Sequence, residues 1–201
     1  MNYAIEFKRE TFSHLTAMAR KRSLKHKWLL VRSGLALIKM GKHEFGLETG
    51  QSFWIPQNSL CSLTLLPGST LDGCSISLRV GERFPQSAGY ITLSPLALAL
   101  FDELPKHPAR SDAQLEILAV LKREALQLKP VFEHTPLSDK LSGWTPNSEA
   151  LDRELHLALL AREAQKRALS GGKKAQIVED FFDGNEEQCD LICQMLLGQT
   201  L

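Results

Sequence analysis

Short apolar runs punctuated by turn residues occupy the chain as far as residue 93, and apolar positions at helical spacing replace them afterwards. The first pattern predicts strands over 27–32, 35–40, 43–47, 52–55, 61–66, 73–80 and 90–93, with glycine or proline at most of the breaks. Closely spaced strands of this length indicate an antiparallel sandwich or barrel. The second pattern predicts helices. Ser94 and Pro95 supply an N-cap and a first helical residue, and the helix stops at Pro105. Ser111 followed by Gln114 is a capping pair, and Leu115, Leu118, Leu121, Ala125 and Leu128 form one stripe behind it. A long helix is expected from Thr145-Pro146 to Leu169, where Ser170-Gly171-Gly172 ends it. Two shorter helices follow at 174–183 and 186–197, broken by Asp183-Gly184-Asn185. The fold class expected is α+β, in three parts. Residues 1–130 form a barrel with trailing helices, 131–147 a proline-bearing linker, and 148–201 a helical region.

Composition narrows the function. The 201 residues carry a net charge of +1, so nucleic acid or an anionic membrane could be met only by a local patch. No apolar run is long enough to span a bilayer, and residues 1–20 lack the continuous apolar core of a secretory signal. Cys61, Cys74, Cys189 and Cys193 do not pair as a zinc site would, which points to a reduced, cytoplasmic setting. The six histidines are scattered. No P-loop, nucleophile elbow or dinucleotide fingerprint occurs. No catalytic residue, metal or cofactor is therefore expected.

One spacing stands out. Gly50 is followed by five residues and Pro56, then Gln57, Asn58, two residues and Cys61. This resembles the cupin motif G-x5-P-x-G-x2-H, with Asn58 in a glycine place and Cys61 in the place of a metal-binding histidine. Fifteen residues separate Gly34 from Gly50, the usual interval between the two cupin motifs. Counting back from Gly34 puts Lys27 at the glutamate place, and Arg20 and Arg22, or Lys21 and Ser23, at the histidine places. The resemblance thus implies a cupin-like β-barrel, or double-stranded β-helix, from which the ligand set is gone. Ammonium and guanidinium groups repel a divalent cation, and one thiol cannot hold it.

Within that superfamily the chain more closely resembles the sensor half of AraC-type transcription regulators. The strand from His26 to Gly34, the Trp54-Ile55-Pro56 run, and the Ser94-Pro95 helix start occur in that family's order. The resemblance implies an effector-sensing and dimerising module. Lys27, Leu29, Val31, Cys61 and Leu63 would share the inward parity, with His26 near the entrance. They would bind a small anion or amphipathic acid, the alternative being a barrel filled by its own side chains. Leu115, Leu118, Leu121 and Leu128 would form a homodimer contact or pack on the barrel. The segment from Cys189 to Leu201 resembles the first helix and turn of a helix-turn-helix, so specific DNA binding is expected only with a further C-terminal domain. Two alternatives remain at this stage: a metal-dependent cupin enzyme, isomerase or dioxygenase, and a stand-alone interaction protein that pairs with a regulator.

Overall fold

The computed structural model describes residues 4–201. Among the described residues, ten strands build two antiparallel sheets. The first contains β1 (Ile5–Phe12), β4 (His26–Ser33), β7 (Ser52–Ile55), β9 (Ser69–Ile76) and β10 (Gly89–Ile91), in the order β1-β9-β4-β7-β10. The second contains β2 (Thr16–Ala17), β5 (Leu35–Met40), β6 (His43–Glu48) and β8 (Leu60–Leu65), in the order β2-β8-β5-β6. The short β3 (Lys21–Arg22) also pairs with β8. The run expected as one strand over 73–80 divides, since β9 ends at Ile76 and a 3-10 turn covers Leu78–Val80.

Alternation along the strands sorts side chains into two apolar layers. Leu29, Val31, Ile38, Phe45, Phe53, Ile55, Leu63, Leu65 and Leu71 meet between the sheets, each 9% exposed or less. Trp28, Leu30, Trp54, Cys74 and Ile76 occupy the opposite face of the first sheet. Two turns fix the register. Gly34 joins β4 to β5 at φ +75°, where a Cβ would lie 2.5 Å from Ser69 Oγ. Asn58 takes φ +61° in the β7–β8 connection, the conformation its place in the motif requires.

The helices cover the outer faces. In α1 (Pro95–Glu103), Ser94 Oγ accepts from the Ala97 amide at 3.0 Å. In α2 (Asp112–Leu126), Ser111 Oγ accepts from the Gln114 amide at 3.2 Å. Both pack on the Trp28 and Trp54 face, and the α2 stripe of Leu118, Leu121 and Ala125 is buried there. Leu118 and Leu121 are therefore taken up in the protomer's own core and do not face a partner, while Leu115 and Leu128 are half-buried.

The stretch 131–147 is not a free linker. It contains α3 (Pro136–Ser142), which lies on β6. Gly46 makes the close approach possible, because a Cβ there would come within 2.8 Å of Leu137 and Leu141. Ser138 Oγ accepts from the Gly46 amide at 3.1 Å, and Ser142 Oγ accepts from the Glu44 amide at 2.9 Å. The long helix α4 (Arg153–Leu169) begins later than Thr145-Pro146 suggested, because Asp152 caps it by accepting from the Leu155 amide. With α5 (Lys174–Phe182) and α6 (Glu186–Leu197) it forms a three-helix unit around Ala161, Ala164, Ile177, Cys189, Ile192 and Cys193.

Candidate functional site

Register places the mouth of the barrel. On the second sheet, Lys21 lies opposite Cys61, Cys61 opposite Met40, and Met40 opposite His43. On the first sheet, Lys27 lies opposite both Ile55 and Ser75. Lys27 shares its face with Leu29 and Val31 by the two-residue period of a strand. The Lys27 and Lys21 ammonium groups both act on the Cys61 thiol. Burial is nevertheless the stronger influence and pushes this thiol up from its ordinary value, so it is protonated at neutral pH. Beneath the row, Leu29, Val31, Leu63 and their neighbours pack against one another. The result is an apolar interior under a rim carrying two ammonium groups.

His26 does not belong to this site. It is one residue from Lys27, so it projects from the other face of β4. It is 3% exposed, stacked on Trp54 at 5.3 Å between ring centroids and tilted against Phe84 at 5.1 Å. Its Nδ1 accepts from the Gln57 amide at 3.2 Å. Burial lowers its pKa. It is a core histidine, and its assignment to the barrel entrance is corrected by strand parity.

The donor set at the mouth does not suit a divalent cation. Cys61 is a protonated thiol beside two ammonium groups. Among the described residues, no group of three or more His, Cys, Asp or Glu side chains stands together in a way that could hold a metal ion.

A second arrangement links barrel and helices. Arg162 of α4 reaches Glu44 on the outer face of β6 through both terminal nitrogens, with Nη2 to Oε2 at 3.2 Å. Their side chains are 2% and 3% exposed. Arg162 Nε also donates to Glu163 at 3.0 Å. No pattern along the chain marks this pair, whose members are 118 positions apart.

The end of the chain also differs from expectation. The helix holding Cys189 and Cys193 is the second of a two-helix hairpin, not the first. The helices α5 and α6 are joined by Asp183-Gly184-Asn185, with φ of +49° and +77° at the first two positions. Asn185 caps α6 by accepting from the Gln188 amide at 2.9 Å. A three-residue turn containing glycine between two packed helices is shared by αα-hairpins and helix-turn-helix units. Its second helix carries Glu186, Glu187 and Asp190 and no lysine or arginine. Lys174 of α5 is drawn to Glu186 at 3.0 Å and Asp190 at 2.8 Å. Cys189 and Cys193 are fully buried, and burial pushes the Cys193 thiol up to about 12.

No protein-family model matches the chain, and no curated protein does. Solved structures do. An apo variant of ToxT from Vibrio cholerae aligns over 99% of this chain and 96% of its own, at 10% identity and a TM-score of 0.46. A second ToxT crystal form aligns over 96% and 95%, at 11% identity and 0.41. A cupin superfamily protein of Desulfitobacterium hafniense aligns over 38% of this chain and 71% of its own, at 10% identity and 0.35. ToxT and a cupin superfamily protein are thus among the structural neighbours. ToxT spans nearly the whole chain, and the cupins span its N-terminal part. No helix among the described residues is long and apolar enough to cross a membrane.

Proposed function

We propose that the chain is the effector-sensing and dimerising module of a transcription regulator, and that it is not an enzyme. The observation that carries this reading is the barrel mouth. Two ammonium groups, Lys27 and Lys21, stand over an apolar interior that lacks a metal-ligand set. Such a rim favours a small carboxylate with an apolar tail, its head at the cations and its tail toward Leu29, Val31 and Leu63. The packed interior limits the depth of entry, so the ligand sits at the mouth or displaces side chains there. The alternative cleft, of about 560 Å³ between barrel and α4, has Glu48, Asp152 and Glu154 among its lining and would repel an anion.

Signal transfer follows from the covalent and ionic links between the parts. A ligand at the mouth bears on β5, β6 and β8, and β6 carries both α3 and the Glu44 partner of Arg162. For a second copy, α2 leaves Leu115 and the exposed Val120 as its apolar contacts, with half-buried Leu128 just past its end. The α6 helix is not suited to reading DNA. The acidic α6 offers phosphates no cation, and phosphate neutralisation supplies most non-specific DNA affinity.

Calorimetric titration of the full chain with straight-chain carboxylates tests the proposal. Binding heat is expected with the native protein, and Lys27→Met should weaken it about tenfold, the equivalent of one charge-assisted contact. Silence across the whole series would end the sensing reading. Stoichiometric iron, manganese, nickel or zinc in the purified protein would favour the enzyme reading instead.

A further inference from the structure

Two histidines face one another at the β6 edge of the barrel, where the mouth row of Lys21, Cys61, Met40 and His43 ends. His43 lies at the start of β6, and His134 lies in the strap between the Tyr90–Val131 bridge and α3. His43 Nδ1 and His134 Nε2 are 3.0 Å apart. His134 Nδ1 is 2.8 Å from Asp139 Oδ1 on α3. Aromatic rings enclose the pair. Phe132 of the strap packs edge-on against Phe45 at 4.7 Å and against His43 at 5.7 Å.

Proton placement in this line is determined by elementary chemistry. An ionised carboxylate only accepts, so His134 Nδ1 carries a hydrogen and donates to Asp139. A neutral His134 then has a lone pair on Nε2, and His43 Nδ1 must be the donor to it. One added proton can reside on His43 Nε2 without breaking either bond. A second proton must go to His134 Nε2. It would set N–H against N–H across 3.0 Å and bring two positive rings together. The other charged groups on the packed elements are Lys42 on the hairpin turn, Glu48 at the far end of β6, Glu133 on the strap and Lys140 on α3, all exposed. Lys39 and Glu44 have the opposite strand parity and face Arg162. The Tyr90 hydroxyl is engaged with the Gly46 carbonyl and Ser138.

We propose that His43, His134 and Asp139 form a proton-operated latch, which holds the strap 131–135 against the barrel near neutral pH and releases it when both imidazoles are protonated. The closed latch holds one proton fewer than the open one. Opening therefore takes up a proton and grows as pH falls, by up to about tenfold per pH unit. Release would lift Phe132 from Phe45, which lies two pairs inward from the Met40–His43 row, on the same face. The latch stands on the geometry of the rings. Its use as a gate for ligand access rests on the function proposed above.

Hydrogen–deuterium exchange of the full chain at pH 7.5 and 5.5, corrected for intrinsic rates, tests the latch without any ligand. Protection of the Val131 amide, which donates to the Tyr90 carbonyl at 3.0 Å, should fall at least about tenfold at the lower pH while β4 and β9 keep theirs. In His43→Gln the side-chain amide can still donate to His134, but only one ring titrates. Protection there should be the same at both pH values, whether high or low. An unchanged native strap, or a pH-dependent loss surviving in His43→Gln, would overturn the latch. Carboxylate titrations at the same two pH values separate the claims. Binding at the mouth beside a pH-insensitive strap would remove the latch alone. A working latch with no carboxylate heat at either pH would remove only the gating role.

Discussion

Adjacent residues on one strand can belong to different worlds, as His26 and Lys27 illustrate. Lys27 faces the barrel mouth. His26 is stacked on Trp54 and takes a hydrogen bond from the Gln57 amide. Only a neutral ring satisfies that environment, since its Nδ1 must accept and its charge would be desolvated. Burial lowers the folded-state pKa, whereas the unfolded chain titrates near the usual value of about 6.5. The stability this imposes is present above about pH 6.5 and is lost as pH falls through the lower folded value. Thermal denaturation from pH 7.5 to 4.5 should show the loss. His26→Phe keeps the aromatic stack but leaves the Gln57 amide without its acceptor, costing about 1 kcal/mol at pH 7.5. The variant should lose less than the native protein on acidification, so the two stability curves converge. Parallel curves would mean that His26 carries a proton in the folded state.

Individual elements were readable where their own residues determine them. Ser94-Pro95, Ser111 with Gln114, and Asp183-Gly184-Asn185 act through local hydrogen bonds, and the helices they delimit stand where those residues indicate. Elements that depend on a distant partner were missed. Glu6, Lys8 and Glu10 make β1 look solvated, and pairing with β9 is what makes it a strand. With seven residues, α3 is too short to show a period, and it is defined by its seat on β6. The α2 stripe shows a third case, in which the pattern is right and its partner is ambiguous. Periodicity tells which face is buried, not what covers it. The structure assigns Leu121 to the Trp28 and Phe101 core, at 0% exposure. Leu121→Ala should therefore cost about 2–5 kcal/mol in urea unfolding. Val120→Glu, on the 39% exposed outer face, should stay within about 0.5 kcal/mol. If sedimentation shows a native dimer that Val120→Glu dissolves, the α2 outer face is the contact. A Leu121→Ala protein of undiminished stability would contradict the core assignment.

At the scale of the whole molecule, the question is what makes barrel and helices one body. The apolar seam of Leu37, Leu141, Leu155 and Leu159 contributes burial but no unique register. Glu44 and Arg162 supply direction, because the almost fully buried carboxylate meets both terminal nitrogens of the guanidinium in one geometry. No pattern along the chain could reveal this, since a glutamate in a strand and an arginine in a helix each look like surface residues. The same burial makes the pair a poor source of net stability, because both charges surrender hydration. Arg162→Met leaves the Glu44 carboxylate buried beside only Lys39, 3.9 Å away, and should cost about 3–5 kcal/mol. Glu44→Leu leaves Arg162 with Glu163 and should cost less. The double variant replaces both charges by apolar groups of similar bulk and should recover most of the loss. A denaturation cycle over the four proteins measures the coupling directly. Additive losses in the double variant would show that the pair does not hold the helices to the barrel, and the transfer of signal from the mouth through β6 to α4 would then lack its ionic link.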